Sequence, residues 1–479
     1  MAKTLGLLFL TITNIFAVPL WIPPTINGFF VQPTLGYGVA DFEGNFATQE
    51  FYDGWVKSMA DIGATMLFYQ WTVHYEENQT WFSDVYGGES SGDFAYYNEN
   101  LKRIGDVAVN SWMPAIRVWT NEDVTPVKRL LDAGEKNGVD IWLGLYLSER
   151  GQFNWWNAVN DNTITSQDSA TFRYHVERSV DLVRDLLEQY GAHPALGGFY
   201  YPIEIANLGF EKEENWPLLA WLLDSVATEV HKLSNKQLAI SPFFNVALTP
   251  AEEWGRMWDY VLANSAIDII ILQDGVGVEP HTISEISPFF AAVKNASFRN
   301  KKQFWGNAEL FTNTSGDRGN MQASPASIDQ IRGQLEIMQY YTNTFVCFSF
   351  LSMDTFVQKT PFDGAGYPLS ARRKLYNDYK AYYEYVKSLE NGSKNQSRRS
   401  QSLRSNLSIS VSGSRISLNG LQGPTPYEII SPNGQVVFRG TAENGVNAIP
   451  QLAGGGVYIF TLRTANGARL SRKFLNGLR

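Results

Sequence analysis

From residue 26 to 389 the chain alternates between two hydrophobic rhythms. Short, nearly continuous apolar runs read as buried strands. Longer segments with apolar residues three and four apart read as amphipathic helices. Strands are predicted at 28–31, 64–70, 140–147, 198–204, 238–243, 267–272, 304–309 and 344–350. Helices are predicted at 47–62, 124–136, 169–190, 217–233, 251–263, 283–293, 328–341 and 371–389. Strands that alternate with helices imply a parallel sheet, and this number of them over this span implies an α/β fold, a (β/α)8 TIM barrel. A doubly wound open sheet is the competing topology, but the glycine-rich phosphate loop that a nucleotide-binding sheet needs after its first strand is missing. A long aromatic insertion, residues 74–97, is expected to wall off one end of the barrel mouth, which would favour exo action.

The rhythm breaks after residue 389. Residues 390–405 are Ser-rich and basic and are predicted to be a flexible linker. Beyond them the period becomes two, with Leu407, Ile409 and Val411 alternating with serines. Pro432-Asn433-Gly434 and Ala465-Asn466-Gly467 are hairpin signals, since Asn-Gly accepts the positive φ of a tight turn. Residues 406–479 are therefore expected to form a small all-β, sandwich-like C-terminal domain.

Residues 1–17 read as a signal peptide: Lys3 supplies the charge, residues 5–16 the apolar stretch, and Ala17 precedes the expected cut. The stretch is too short to span a bilayer comfortably. Cys347, the single cysteine, lies in an apolar run and reads as a core residue, and one cysteine excludes a disulfide within the chain. An exported protein without disulfides suits a bacterial secreted or cell-surface setting, and a monomer is expected. The net charge is −9, with Lys and Arg dispersed outside the 390–405 stretch, which argues against nucleic acid as a partner. Aromatic residues make up 14% of the chain, including 14 Trp. They fit a ring-rich core and equally a cleft whose indoles stack on sugar faces.

The candidate chemistry sits at strand ends. Glu204 closes Gly198-Phe199-Tyr200-Tyr201-Pro202-Ile203-Glu204, and Glu309 closes Phe304-Trp305-Gly306-Asn307-Ala308-Glu309. A carboxylate at the end of a buried strand is costly without a purpose, and the carboxyl end of barrel strands is where such folds do chemistry. Two carboxylates facing one cleft are the minimum for cleaving a glycosidic bond. The tyrosines around Glu204 should raise its pKa, as a general acid needs, which leaves Glu309 as nucleophile. A separation of about 5–5.5 Å would give retention and about 6.5–9.5 Å inversion. Asp274, at the end of the sixth strand, is expected to be a sugar-hydroxyl ligand, a base or an alternative second carboxylate, or else to cap the following loop. Gln32, Gln70 and Asn245 end strands one, two and five, and Asn207 follows Glu204. Neutral amides there suit hydroxyl recognition. Trp71, Trp155, Trp305 and Tyr201 are candidate sugar-facing rings, with Trp156 beside them, and Glu149-Arg150 reads as a rim ion pair. The five histidines lack metal-ligand spacing, so neither a catalytic metal nor another cofactor is expected. No Gly-x-Ser-x-Gly elbow is present, which disfavours an esterase.

Glutamates ending strands four and seven resemble those of the large clan of retaining glycoside hydrolases with (β/α)8 barrels. That clan has Asn directly before the acid/base, where this chain has Ile203. More closely, residues 28–33, Gly198 to Glu204, Ile270-Ile271-Leu272-Gln273-Asp274-Gly275-Val276-Gly277 and Trp305-Gly306-Asn307-Ala308-Glu309 resemble a bacterial family known only as a domain of unknown function. This second resemblance spans most of residues 26–360 and implies a barrel related to glycosidases, with a carbohydrate as partner and no particular sugar. The tail resembles the C-terminal sorting domain of the Por-type (type IX) secretion system. The residues that carry it are Tyr427-Glu428-Ile429, residues 432–437, Leu452 with Gly456-Val457-Tyr458-Ile459, and Arg472-Lys473-Phe474. It implies delivery by that secretion machinery.

Overall fold

A computed structural model describes residues 22–476 apart from 33, 36, 41–46, 71, 80–89, 96–125, 149–165, 208–209, 211, 279–281, 316–321, 361–362, 401–407, 413–414, 420–424, 432–435, 449–451, 453–455 and 464–468. The expected signal peptide and the candidates Trp71, Glu149, Arg150, Trp155 and Trp156 lie outside the described residues. The chain divides into two compact units, Pro24–Glu384 and a second built from Tyr385 onward.

In the first unit eight strands close a parallel barrel: β1 (Gly28–Val31), β2 (Met66–Tyr69), β3 (Asp140–Gly144), β4 (Leu196–Tyr201), β5 (Gln237–Ile240), β6 (Ile269–Gln273), β7 (Gln303–Glu309) and β8 (Phe345–Phe348). Each pairs with its neighbours in sequence, and Gly28 on β1 closes the ring by pairing with Met66 on one side and Val346 on the other. The helices between them are α1 (Gln49–Ala60), α2 (Pro126–Asn137), α3 (Ser166–Tyr190), α4 (Trp216–Leu233), α5 (Ala251–Ala263), α6 (Ile286–Arg299), α7 (Ile328–Met338) and α8 (Leu369–Ser400). Capping serves two of them: Thr48 accepts from the Phe51 amide at 3.2 Å and Ser327 from the Gln330 amide at 3.1 Å. The expected (β/α)8 barrel is the observed one.

The barrel interior is filled by rings. Phe30, Phe68, Trp142, Tyr200, Ala239, Ile269, Ile271 and Val346 form its core, with Trp305 packed against them. Phe68 stacks on Trp142 at 5.2 Å, and the Trp142 and Trp305 rings meet edge-on at 5.7 Å. Room for the Trp142 indole comes from β4. A Cβ on Gly198 would stand 2.5 Å from that ring, so the Gly197-Gly198 pair gives up volume to its neighbour strand.

Residues 74–97 contribute an antiparallel pair, Val73–Gln79 with Ser90–Ala95, and the first of these strands also pairs in parallel with Tyr146–Ser148.

The second unit holds two antiparallel sheets. The strands are β9 (Ser408–Ser412), β10 (Arg415–Asn419), β11 (Thr425–Ile430), β12 (Val436–Ala442), β13 (Gly445–Ala448), β14 (Gly456–Arg463) and β15 (Arg469–Asn476), ordered β9-β10-β13 and β12-β11-β14-β15. Ile416 and Leu418 of one sheet share a core with Tyr427, Ile429, Tyr458, Phe460 and Leu462 of the other. These small sheets follow the barrel as the all-β C-terminal region expected; the predicted Asn-Gly turns at 432–434 and 465–467 lie outside the described residues. One expectation needs correction: residues 390–400, predicted as flexible linker, continue α8 to Ser400. The stretch holds no proline to end the helix.

Candidate active site

Strand parity decides what faces the barrel mouth. Side chains two apart on a strand point the same way and climb about 6.6 Å. From the interior residues Phe30, Phe68, Ala239, Ile271 and Trp305, one inward step upward reaches Gln32, Gln70, Ser241, Gln273 and Asn307. A second step on β7 reaches Glu309. An apolar floor is thus capped by a layer of amides and a hydroxyl, with a carboxyl above it.

Hydrogen bonds fix the orientation of that layer. Ser241 spends its one hydroxyl proton on the Ile271 carbonyl at 2.8 Å, so toward Asn307 it accepts, at 3.0 Å from Nδ2. The Asn307 amide therefore turns its Oδ1 elsewhere, and this buried oxygen has no partner among the described residues. The Gln70 Oε1, equally buried, has none either. Asn307 was missed at the sequence level, although its inward parity with Glu309 was there to be seen.

Glu309 is 3% exposed. Its Oε2 accepts from the Gly277 amide at 2.6 Å and from the Val278 amide at 3.0 Å, both in the loop after β6. Gly277 is required for this approach, because a Cβ there would stand 2.6 Å from the Phe311 carbonyl oxygen and 2.9 Å from Glu309 Oε2. Burial raises the Glu309 pKa, and the Asp274 charge, with a smaller contribution from Glu204, raises it further. The two amides pull the other way.

Glu204 lies three residues beyond the end of β4, because Pro202 has no N–H with which to extend the ladder. It is partly exposed, and burial of its carboxyl raises its pKa. Its charge is felt by Tyr200 and by Glu309. Tyr367, in the segment after β8, hydrogen-bonds Ser352, and its phenol pKa is raised by burial and then by the Glu309 charge. The backbone carbonyl of Tyr367 is held at 2.8 Å by Arg372, a wholly buried guanidinium.

Several expected site residues are placed otherwise. Tyr201 has outward parity: its hydroxyl meets His175 Nδ1 on α3 at 3.0 Å, and burial pushes that imidazole down to about 3, so it stays neutral. Trp305 is a ring of the barrel core, two inward steps below Glu309, rather than a platform at the mouth. Asn207 is a clamp, its amide donating to the Asn245 carbonyl and accepting from the Asn245 amide, both at 2.8 Å. Asn245 turns its own Oδ1 to the Ala247 amide at 2.9 Å. Asp274, one residue past inward-facing Gln273, points away from the mouth. Its Oδ1 accepts from Val276 and Glu309 amides at 3.1 and 3.3 Å, and its Oδ2 from Gln334 Nε2 of α7 at 2.6 Å. Gln32 and Gln70 stay on the inward face, Gln32 half-buried and Gln70 buried. Among the described residues no group of three or more His, Cys, Asp or Glu side chains is arranged to hold a metal.

The model of a family described as a domain of unknown function (DUF4434) matches residues 26–361. No curated protein matches the sequence. Among solved structures, a candidate alpha-L-fucosidase from Bacteroides thetaiotaomicron is similar at 18% identity with a TM-score of 0.50, covering 80% of this chain and 99% of that one. An endo-beta-1,4-mannanase from Thermotoga petrophila is similar at 9% identity and TM-score 0.45, covering 95% and 98%. A GH99 endo-alpha-mannosidase from Bacteroides thetaiotaomicron is similar at 10% identity and TM-score 0.38, covering 76% and 98%. At these identities the first likeness bears on the barrel fold alone.

Proposed function

The chain belongs to this DUF4434 family, and on its barrel we propose a glycoside hydrolase that uses Glu204 as acid/base and Glu309 as nucleophile. The observation that carries the proposal is the Glu309 carboxyl. It ends an inward-facing strand position, one of its oxygens is held by two backbone amides, and a second carboxyl after β4 acts on it across the same mouth. Burial that raises the Glu204 pKa suits a group that must give a proton to the departing glycosidic oxygen. The amides of Gly277 and Val278 stabilise the ionised form of Glu309, which attack at the anomeric carbon requires. Water, deprotonated by Glu204 in the second half, then releases the sugar with retained configuration. Gln32, Gln70 and Asn307 supply neutral hydrogen-bonding groups, and the unpartnered acceptors of the last two suit sugar hydroxyl donors.

The deciding measurement is reducing-end release by wild type, Glu204→Gln and Glu309→Gln across plant and microbial polysaccharides. The proposal expects activity in wild type and a loss of at least about 10³-fold in each variant. Glycan binding that survives both substitutions, with no release by wild type, would instead make the chain a carbohydrate-binding barrel. The anomer formed first, followed by proton NMR, reports retention or inversion.

We further propose that the protein acts as a monomer on carbohydrate outside the bacterial cell, exported through the type IX machinery by its C-terminal unit. Deleting residues 406–479 in a host with that machinery should hold the protein inside the cell. An unchanged extracellular fraction would refute the assignment.

A further inference from the structure

We infer that Asp274 is a positioning residue that governs when the Glu309 carboxyl ionises, acting from behind β7 and never touching substrate. The inference rests on reading Glu309 as the reacting carboxylate. Asp274 is wholly buried and follows β6, while Glu309 ends β7 beside it. Their link is backbone-deep: the Glu309 amide donates to Asp274 Oδ1 at 3.3 Å. Gln334 of α7 ties the same two residues together, its Nε2 donating to Asp274 Oδ2 at 2.6 Å and to the Glu309 carbonyl at 3.2 Å. Because both contacts are acceptors, the Gln334 amide can present only its NH2 there, which fixes its orientation.

Several groups among the described residues face the pair. Glu309 is addressed by Glu204 after β4, by Tyr367 after β8, and by the Gly277 and Val278 amides. Asp274 is addressed by the buried Cys347 of β8, by Gln334 and by the Val276 amide. Two carboxyls so placed resist carrying two charges, and the protons they bind belong to the pair. Ionisation of Asp274 therefore delays that of Glu309 through the strand, while the face of Glu309 toward the mouth stays clear for substrate.

The test compares pH profiles of wild type, Asp274→Asn and Gln334→Leu on the hydrolysed polysaccharide. Asp274→Asn keeps the shape and an acceptor for the Glu309 amide but removes the charge. The acid limb of kcat should move to lower pH by about one unit or more, with KM little changed. Gln334→Leu keeps the Asp274 carboxyl but strips a donor that lowers its pKa, so it should move that limb in the same direction and by less than Asp274→Asn does. An Asp274→Asn profile that falls uniformly, with its acid limb in place, would overturn the inference and leave a structural role only. A readout without turnover separates this failure from that of the glycosidase reading. The unfolding free energy of wild type should fall as pH rises above the unfolded carboxyl range, and Asp274→Asn and Glu309→Gln should each flatten that slope. The double variant should be less flat than the sum of the two predicts. Equal slopes in wild type and Asp274→Asn would reject the coupling whether or not any glycan is cleaved.

Discussion

Asp354 and Asp274 are the same device in two electrical settings. Asp274 follows β6 directly and Asp354 follows the 3-10 turn Phe350–Met353 after β8; each is wholly buried, and each captures a backbone amide two residues on, Val276 at 3.1 Å and Phe356 at 2.8 Å. Around Asp354 the structure adds the Trp55 indole N–H at 2.7 Å and the positive field of Arg372. Around Asp274 it adds a second carboxyl. Burial raises the pKa of both, and around Asp354 the Arg372 charge offsets part of the rise. A fold that needs a joint neutralises its buried acid, as around Asp354. Setting a second acid beside a buried one costs stability, and the cost falls where the chemistry is proposed to lie.

The comparison can be broken most forcefully on the Asp354 side. Arg372→Met removes the cation and leaves the Tyr367, Asp354, Val357 and Gln358 carbonyls without their donor. The expected loss is about 3–5 kcal/mol, read as a lowered urea midpoint. On the Asp274 side the signature is pH. Asp274, Glu309 and Glu204 all have folded pKa values raised above those of the unfolded chain. The folded state therefore holds protons that the unfolded state has released, and the associated stability is full below the unfolded carboxyl range and lost as pH rises through the folded values. Each such proton should contribute a slope of about 1.4 kcal/mol per pH unit within that window. Denaturant unfolding from pH 4 to 9 checks it, and stability rising across that range would contradict it. Gln334→Leu, which strips one donor from Asp274, should cost about 1–3 kcal/mol. Smallest is Trp55→Phe, about 1 kcal/mol. Because one donor to Asp354 is lost while Arg372 stays, it should steepen the pH slope only slightly.

Much of this architecture was legible in the sequence, and what was not has physical causes. The barrel shows through because buried parallel strands are apolar on both faces and the helices between them keep their period. That same continuity hides facing. In Gly198-Phe199-Tyr200-Tyr201 nothing polar marks which tyrosine turns inward, and Tyr201 was placed on the wrong side. Asp274 was decipherable, since Ile269, Ile271 and Gln273 form one inward row and residue 274 leaves it. Gln334 and Arg372 went unnoticed, although each is a polar residue on an apolar helix stripe. Gln334 lies with Ile331, Leu335 and Met338, and Arg372 opens a buried row continued by Leu375, Tyr379, Tyr382 and Val386. A polar side chain in such a row must find partners inside the protein, and the loops after β6, β7 and β8 supply them. Asn207 and Asn245 were expected to read sugar because amides at strand ends look alike whether they bind a ligand or a neighbouring loop.

The two indoles at the barrel floor have an optical consequence. Trp142 on β3 and Trp305 on β7 come from strands diametrically opposite in the closed ring, yet their rings lie 5.7 Å apart with planes at 77°. Chromophores that close and that skewed couple their transitions and produce a paired positive and negative band in circular dichroism. Such a couplet exists only while opposite walls of the cylinder are in place. The protein thus carries an intrinsic spectroscopic gauge of ring closure, one that Trp305→Phe would silence.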